Sequence, residues 1–239
     1  MPSPRVPLVL LPGLLNDARL WQHQIAGLAD IAQPYVGDVA SADRLPRIAA
    51  TILRGVSDPH FVLAGFSMGG YTALEIMRQA PERVLALALI DTSARPDTPD
   101  ATAKRREQMD ASEGDFDAVA DALRRRIVHP DAAEDATLAE TCRAMALRVG
   151  RAGFLRQQEA IIARPDSRPI LRDIACPTLV VCGRDDPVTP VEVHEELRDG
   201  IAGAQLVVIG TCGHLSPLER APEVTGALRA FFDRVPRFA

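Results

Sequence analysis

The sequence predicts an α/β fold: a doubly wound, mostly parallel sheet of about six strands carrying one helical insertion. Three observations predict it. Short, continuous apolar runs alternate with helical patterns, as in strands buried on both faces. Several of these runs end directly in glycine-rich or polar turns. Between Asp91 and Ile170 no further apolar run of this kind occurs, and the apolar residues recur at helical spacing instead.

Val6–Leu11 reads as the first strand. The turn Pro12-Gly13-Leu14-Leu15 follows, and Asn16 or Asp17 can cap a helix running through Leu20, Trp21, Ile25 and Leu28. Ala32–Val36 is a short second strand, and Ile48, Ile52 and Leu53 mark a second helix. Phe61-Val62-Leu63-Ala64 is a third strand; Tyr71 to Ala80 reads as a helix stopped by Pro81. Val84–Ile90 is the fourth strand. Thr178–Cys182 and Leu206–Ile209 supply two more, separated by a helix over Val191–Leu197, and a last helix covers Pro222–Phe232.

In the insertion, Phe116, Val119, Leu123 and Ile127 share one helical face, as do Leu138, Cys142, Met145 and Val149. A further helix is expected over Phe154–Ile162, before Arg164-Pro165-Asp166. The expected organisation is therefore a core of residues 1–92 and 171–239 with a helical cap over 93–170. The cap leaves the C-terminal edge of the sheet, where open α/β sheets bind their ligands.

Composition excludes several classes. A hydrophobic content of 47% and a charged content of 25% describe an ordinary globular chain, and a formal net charge of −5 argues against nucleic acid as a partner. Lys104-Arg105-Arg106 and Arg124-Arg125-Arg126 lie in helical patterns interleaved with acids and read as solvated faces. Cys142, Cys176, Cys182 and Cys212 form no C-x-x-C pair, so neither a disulfide framework nor a metal site is expected. The apolar opening is broken by Pro7, Pro12 and Gly13 and reads as a core strand instead of a signal peptide. No run reaches membrane-span length, and a cytoplasmic protein is the expectation.

The chemistry centres on Gly65-Phe66-Ser67-Met68-Gly69-Gly70, between the third strand and its helix. A serine on a sharp strand-to-helix turn lifts its hydroxyl clear of the sheet, and small residues on both sides let strand and helix approach. The N-terminus of the helix offers unpaired N–H groups where an oxyanion can form. Gly183-Arg184-Asp185-Asp186-Pro187-Val188-Thr189-Pro190 follows the fifth strand, and Gly210-Thr211-Cys212-Gly213-His214 follows the sixth. A parallel sheet brings these loops to one edge, so serine, acid and histidine can meet in the order of acyl-transfer triads. Asp185 and Asp91 are alternative acids, Asp91 more simply as a turn cap. His23, His60, His129 and His194 have no comparable setting and read as surface residues. Trp21, Met109 and Met145 read first as packing residues, with a pocket role as the alternative.

These motifs resemble those of the α/β-hydrolase family over nearly the whole chain. The acid loop is similar to its G-x-x-D-x-x-x-P pattern through Gly183, Asp186 and Pro190; the histidine loop resembles G-x-G-H with its first glycine, Gly210, one residue further back. Pro12-Gly13-Leu14 takes the place of the family's His-Gly-x oxyanion loop. The resemblance implies Ser67 as nucleophile, His214 as base and Asp186 as its orienting acid, with the backbone N–H groups of Leu14 and Met68 forming the oxyanion hole. No metal or organic cofactor is implied.

The chain also departs from the family. It starts almost directly on the oxyanion strand, so the N-terminal strand pair of many members is missing. Proline stands where the histidine of the oxyanion loop is usual, and Gly37-Asp38-Val39-Ala40-Ser41-Ala42 replaces a glycine-rich loop. The implied function is a serine hydrolase cleaving a small or medium acyl ester, thioester or lactone from a largely apolar substrate. The alternatives with the same triad are a cofactor-free carbon–carbon bond hydrolase or an acyltransferase, and then a non-catalytic small-molecule receptor.

Overall fold

The computed structural model describes residues 5–235. Six strands, β1 (Val6–Leu11), β2 (Ala32–Val36), β3 (Phe61–Phe66), β4 (Val84–Ile90), β5 (Thr178–Gly183) and β6 (Gln205–Ile209), form one sheet in the order β2-β1-β3-β4-β5-β6. Every pairing is parallel. The order reverses at β1, which pairs with β2 on one side and β3 on the other, Leu11 standing beside Gly65. The loops leaving β1 and β3 therefore open the crevice where such sheets bind ligands.

Alternation along the strands sends successive side chains to opposite faces and divides the core in two. Val9, Leu11, Leu63, Leu87, Leu89 and Val180 pack on one face against Ile48 and Ile52 of α2 (Leu45–Gly55), Leu74 of α3 (Met68–Gln79) and, further along, Leu197. Leu8, Leu10, Val62, Ala64, Ala86, Ala88, Ile90, Leu179 and Val181 pack on the other, with Leu20, Trp21, Leu28, Val224 and Leu228. Each such fully buried aliphatic side chain is worth about 1.5–3 kcal/mol, which is why these strands carry almost no polar residue. The helix expected through Trp21 is split: a 3-10 turn, Ala18–Trp21, is capped by the Asp17 carboxylate on Arg19 N–H, and α1 (Gln22–Gly27) follows. Trp21 is a packing residue in this core.

Between β4 and β5 stand α4 (Pro99–Ala111), α5 (Phe116–Ile127) and α6 (Ala136–Ile162). Thr98, Asp115 and Asp135 cap them through their side-chain oxygens. The two helices expected within 138–162 are present as the two arms of α6, which meet at a kink at Gly150, whose φ of 68° is a conformation open mainly to glycine. In each basic cluster one residue departs from the solvated face expected, while Lys104, Arg106, Arg125 and Arg126 are exposed. Arg124 is 5% exposed, giving its Nε to Asp121 and its Nη1 to Ala133 O, and Arg105 is half-buried between Asp97 and Gln158. The remaining helices are α7 (Val191–Gly200), α8 (Ser216–Glu219) and α9 (Ala221–Phe232). Among the described residues no helix is long and apolar enough to cross a membrane.

Candidate active site

The site is assembled at the C-terminal ends of β3, β5 and β6. Ser67 occupies the single position between β3 and α3, with φ 50° and ψ −115°. Such a backbone is costly for a serine and persists only where its surroundings fix it. Here they do: Ser67 N–H donates to Ile90 O at 3.0 Å, and Ser67 O accepts the Thr92 hydroxyl at 2.7 Å and the Gly70 N–H at 2.9 Å. The turn is tight enough to require glycine. A Cβ on Gly65 would lie 2.4 Å from Gly69 O, and one on Gly69 would lie 2.1 Å from Leu11 O. Helix α3 begins at Met68, three residues before the expected start, so the Met68 N–H sits in the first turn without an acceptor of its own helix.

Asp186 and His214 meet Ser67 from the neighbouring loops. Ser67 Oγ lies 2.9 Å from His214 Nε2, and His214 Nδ1 lies 2.7 Å from Asp186 Oδ2. Asp186 is further held by the N–H groups of Val188 and Thr189 and by the Thr189 hydroxyl. Burial alone would raise its carboxyl, but the facing imidazole and these donors outweigh it and keep Asp186 below the usual carboxylate range. Burial alone would lower His214; the Asp186 charge and hydrogen bond dominate and raise it above the ordinary histidine value. The imidazole also packs against Phe66, ring centres 5.3 Å apart.

The alternative acids take other places. Asp185 is exposed, its carboxylate 3.7 Å from His129 Nε2. Asp91 is fully buried, but faces Gly183 N–H at 2.9 Å and the Ser216 hydroxyl instead of the imidazole. Burial above all, with Asp186 nearby, lifts its carboxyl well above the ordinary range, and its two hydrogen bonds link the acid loop to the segment after His214. His194, expected on the surface, is fully buried. It accepts Thr92 N–H on Nε2 at 3.0 Å and donates from Nδ1 to Pro190 O at 3.2 Å, and burial pushes it down to about 4. It is a neutral strut between β4 and the acid loop.

A cavity of about 300 Å³ opens over Ser67 and His214. Leu14, Phe66, Tyr71, Val188 and Leu215 line it from the loops around the sheet edge. Ala101, Lys104, Arg105 and Gln108 of α4, Leu123, Arg126 and Ile127 of α5, and Ala146 and Ile161 of α6 close it from above. Its floor is apolar and its roof mixed. Met109 and Met145 do not line it; Met145 is buried in the core and Met109 packs beside α5.

The model of the alpha/beta hydrolase fold family matches residues 6–221. The chain belongs to that family. This hydrolase is 28% identical to a 3-oxoadipate enol-lactonase of Acinetobacter baylyi, across 96% of this chain and 90% of that one. It is also 28% identical to a pimeloyl-[acyl-carrier protein] methyl ester esterase of Neisseria meningitidis, across 87% and 80%. Among solved structures, a thermophilic esterase from Thermogutta terrifontis is 29% identical and superposes with a TM-score of 0.84 over 95% of this chain and 89% of that one. The enol-lactonase of Burkholderia xenovorans, at 24% identity, shares the fold with a TM-score of 0.87 over 97% and 92%. The chain is thus an enzyme of the α/β-hydrolase type.

Two further side chains, absent from the expected set, hold the loops around Ser67 and His214. Glu219 receives the N–H groups of Gly213, Leu215 and His129 on one carboxylate. The S-x-x-E pattern of Ser216–Glu219 was the available signal. Gln157, fully buried on α6, bonds the loop after β1; nothing in the local sequence marks it.

Proposed function

We propose that this chain is a serine hydrolase that cleaves a small or medium acyl ester, thioester or lactone through an acyl-enzyme on Ser67. The observation that carries the reading is the unbroken line from Ser67 Oγ through His214 to Asp186, at 2.9 Å and 2.7 Å, beneath a cavity of about 300 Å³. The named activities of the relatives, lactone and methyl ester cleavage, support the same bond class.

Ser67 Oγ bonds to the acyl carbon as its proton passes to His214 Nε2. The carbonyl π electrons move onto oxygen, and the N–H groups of Leu14 and Met68 receive the oxyanion; each such donor is worth about 3–4 kcal/mol in acyl transfer. On collapse the leaving oxygen or sulfur takes the proton from His214. Water then adds to the acyl-enzyme, its proton going to His214 and on to Ser67 Oγ as the carboxylic acid leaves. Asp186 keeps Nδ1 protonated and offsets the imidazolium charge in both halves. Residues 93–170 act as a cap that shields the acyl-enzyme and sets the length of acyl chain admitted. The apolar floor suits an aliphatic acyl group.

The test is hydrolysis of p-nitrophenyl esters from acetate to long acyl chains, together with simple γ- and δ-lactones, for the wild type and S67A. Turnover that favours short or medium chains and vanishes in S67A is expected. Undiminished turnover in S67A rejects the reading.

A further inference from the structure

Three consecutive residues of α6 fasten it to the surroundings of the site. Arg156 Nε donates to Ala40 O at 2.8 Å, in the loop after β2. Gln158 bonds Gln108 and Arg105 of α4 at 3.0 and 2.9 Å. Gln157, between them, points the other way: its Oε1 accepts Leu15 N–H at 3.0 Å and its Nε2 stands 3.5 Å from Gly13 O. The amide orientation is fixed by the chemistry, because an N–H of Leu15 needs an oxygen opposite it.

The residues so held flank Leu14. Leu15 has φ 60°, a conformation uncommon for a leucine. The Leu15 side chain is anchored by the same helix, packed with Phe154 and Ala146 in a small buried cluster. The turn closed by Asn16 N–H on Gly13 O at 3.2 Å shapes this backbone, and the Gln157 amide and the apolar cluster hold it from above.

Resting on the serine-hydrolase reading, we propose that Gln157 is a positioning residue for acyl transfer. It fixes the peptides before and after Leu14 so that the Leu14 N–H is aimed at the oxyanion, and thereby makes the oxyanion hole depend on the seating of α6. It touches no reacting atom. Its contribution appears only when negative charge develops on the carbonyl oxygen, because a misaimed donor costs the transition state more than the ground state.

The experiment compares wild type, Q157M and Q157E, with S67A as reference, on one p-nitrophenyl ester and one trifluoromethyl ketone, which forms an anionic hemiketal with an active serine. Methionine fills the volume without a hydrogen bond. Q157M is expected to lower kcat about 10–100-fold with KM within about threefold. Its affinity for the ketone should weaken by the same factor as kcat/KM. Q157E still accepts the Leu15 N–H but turns an acceptor oxygen toward Gly13 O, so it should lie between Q157M and wild type. Should Q157M fail to fold, Q157N, one methylene short of the loop, carries the same expectation. Wild-type kcat in the folded variant, a loss confined to KM, or a Q157E as impaired as Q157M overturns the proposal. Persistent turnover in S67A instead rejects the serine reading itself, and the two failures are distinct.

Discussion

The carboxylate of Glu219 brackets His214, accepting the N–H of Gly213 on one side at 3.0 Å and that of Leu215 on the other at 2.9 Å. The same oxygen that takes Gly213 also takes His129 N–H at 2.9 Å, from the connection between α5 and α6. The histidine backbone is closed by its own N–H, which donates to Ile127 O at 2.8 Å. His214 is thus placed by contacts from both the sheet edge and α5.

E219Q tests this bracket. An amide offers one acceptor oxygen and turns an NH₂ toward the other backbone donors, leaving them without a partner. A loss of about 2 kcal/mol in denaturant-measured stability is expected, with kcat reduced more than KM. Stability and kcat equal to wild type would show that the loop holds His214 unaided.

With His214 as the proposed base, its raised pKa is expected to set the acid side of the rate profile. The base must be neutral to take the Ser67 proton, so kcat/KM falls as pH drops through the raised value, with a midpoint above 6.5. In D186N the interaction that raises it is gone and burial remains, so any residual activity keeps its acid limb at lower pH. That variant should lose about 10⁴-fold in kcat. An acid limb unmoved in D186N would assign the profile to another group.

Asp91 makes the opposite kind of statement, about stability. Its folded pKa lies well above 3.8, so between the unfolded value and the folded one the native state binds the extra proton. Its contribution is fully present below the unfolded pKa and is lost as pH rises, at about 1.4 kcal/mol per pH unit. D91N keeps the acceptor for Gly183 N–H and gives a donor to Ser216 without that dependence. The Tm of D91N relative to wild type should therefore climb from about pH 4 upward. A difference that stays flat with pH contradicts a raised carboxyl at Asp91.

The elbow tolerates no added carbon. G69A places a Cβ 2.1 Å from Leu11 O, backbone against backbone, so strand β1 or helix α3 must shift. A loss of about 3 kcal/mol or more, or failure to fold, is expected. At Gly226, where a Cβ meets nothing within 4 Å, alanine in mid-helix should stabilise by about 0.5–1 kcal/mol. Chemical denaturation of the pair checks both signs.

The strands and the loops after them were legible because parallel strands buried on both faces are written as unbroken apolar runs, and turn residues punctuate their ends. The places of Ser67, Asp186 and His214 at one sheet edge follow from that punctuation and strand order. What stayed hidden depends on partners remote in sequence. His194 is buried because Thr92 N–H, 102 positions away, needs an acceptor. Gln157 faces a loop 142 positions back, so no local pattern distinguishes it from a solvent-facing glutamine. Arg124 looked like one of three equivalent cations, and only the fold separates it by setting Ala133 O against its guanidinium. The break in α6, by contrast, was legible: Gly150 falls between the helical pattern ending at Val149 and the further helix read over Phe154–Ile162.

The central claim is that Ser67 is a nucleophile activated by His214, and active-site labelling tests it most directly. Intact protein would be incubated with a fluorophosphonate, and the mass gain read by mass spectrometry and mapped to a peptide. The account predicts one adduct per chain, on Ser67, absent in S67A and slowed by at least about a thousandfold in H214A. Folded wild-type protein that takes no label, or that labels as fast in H214A, would contradict it.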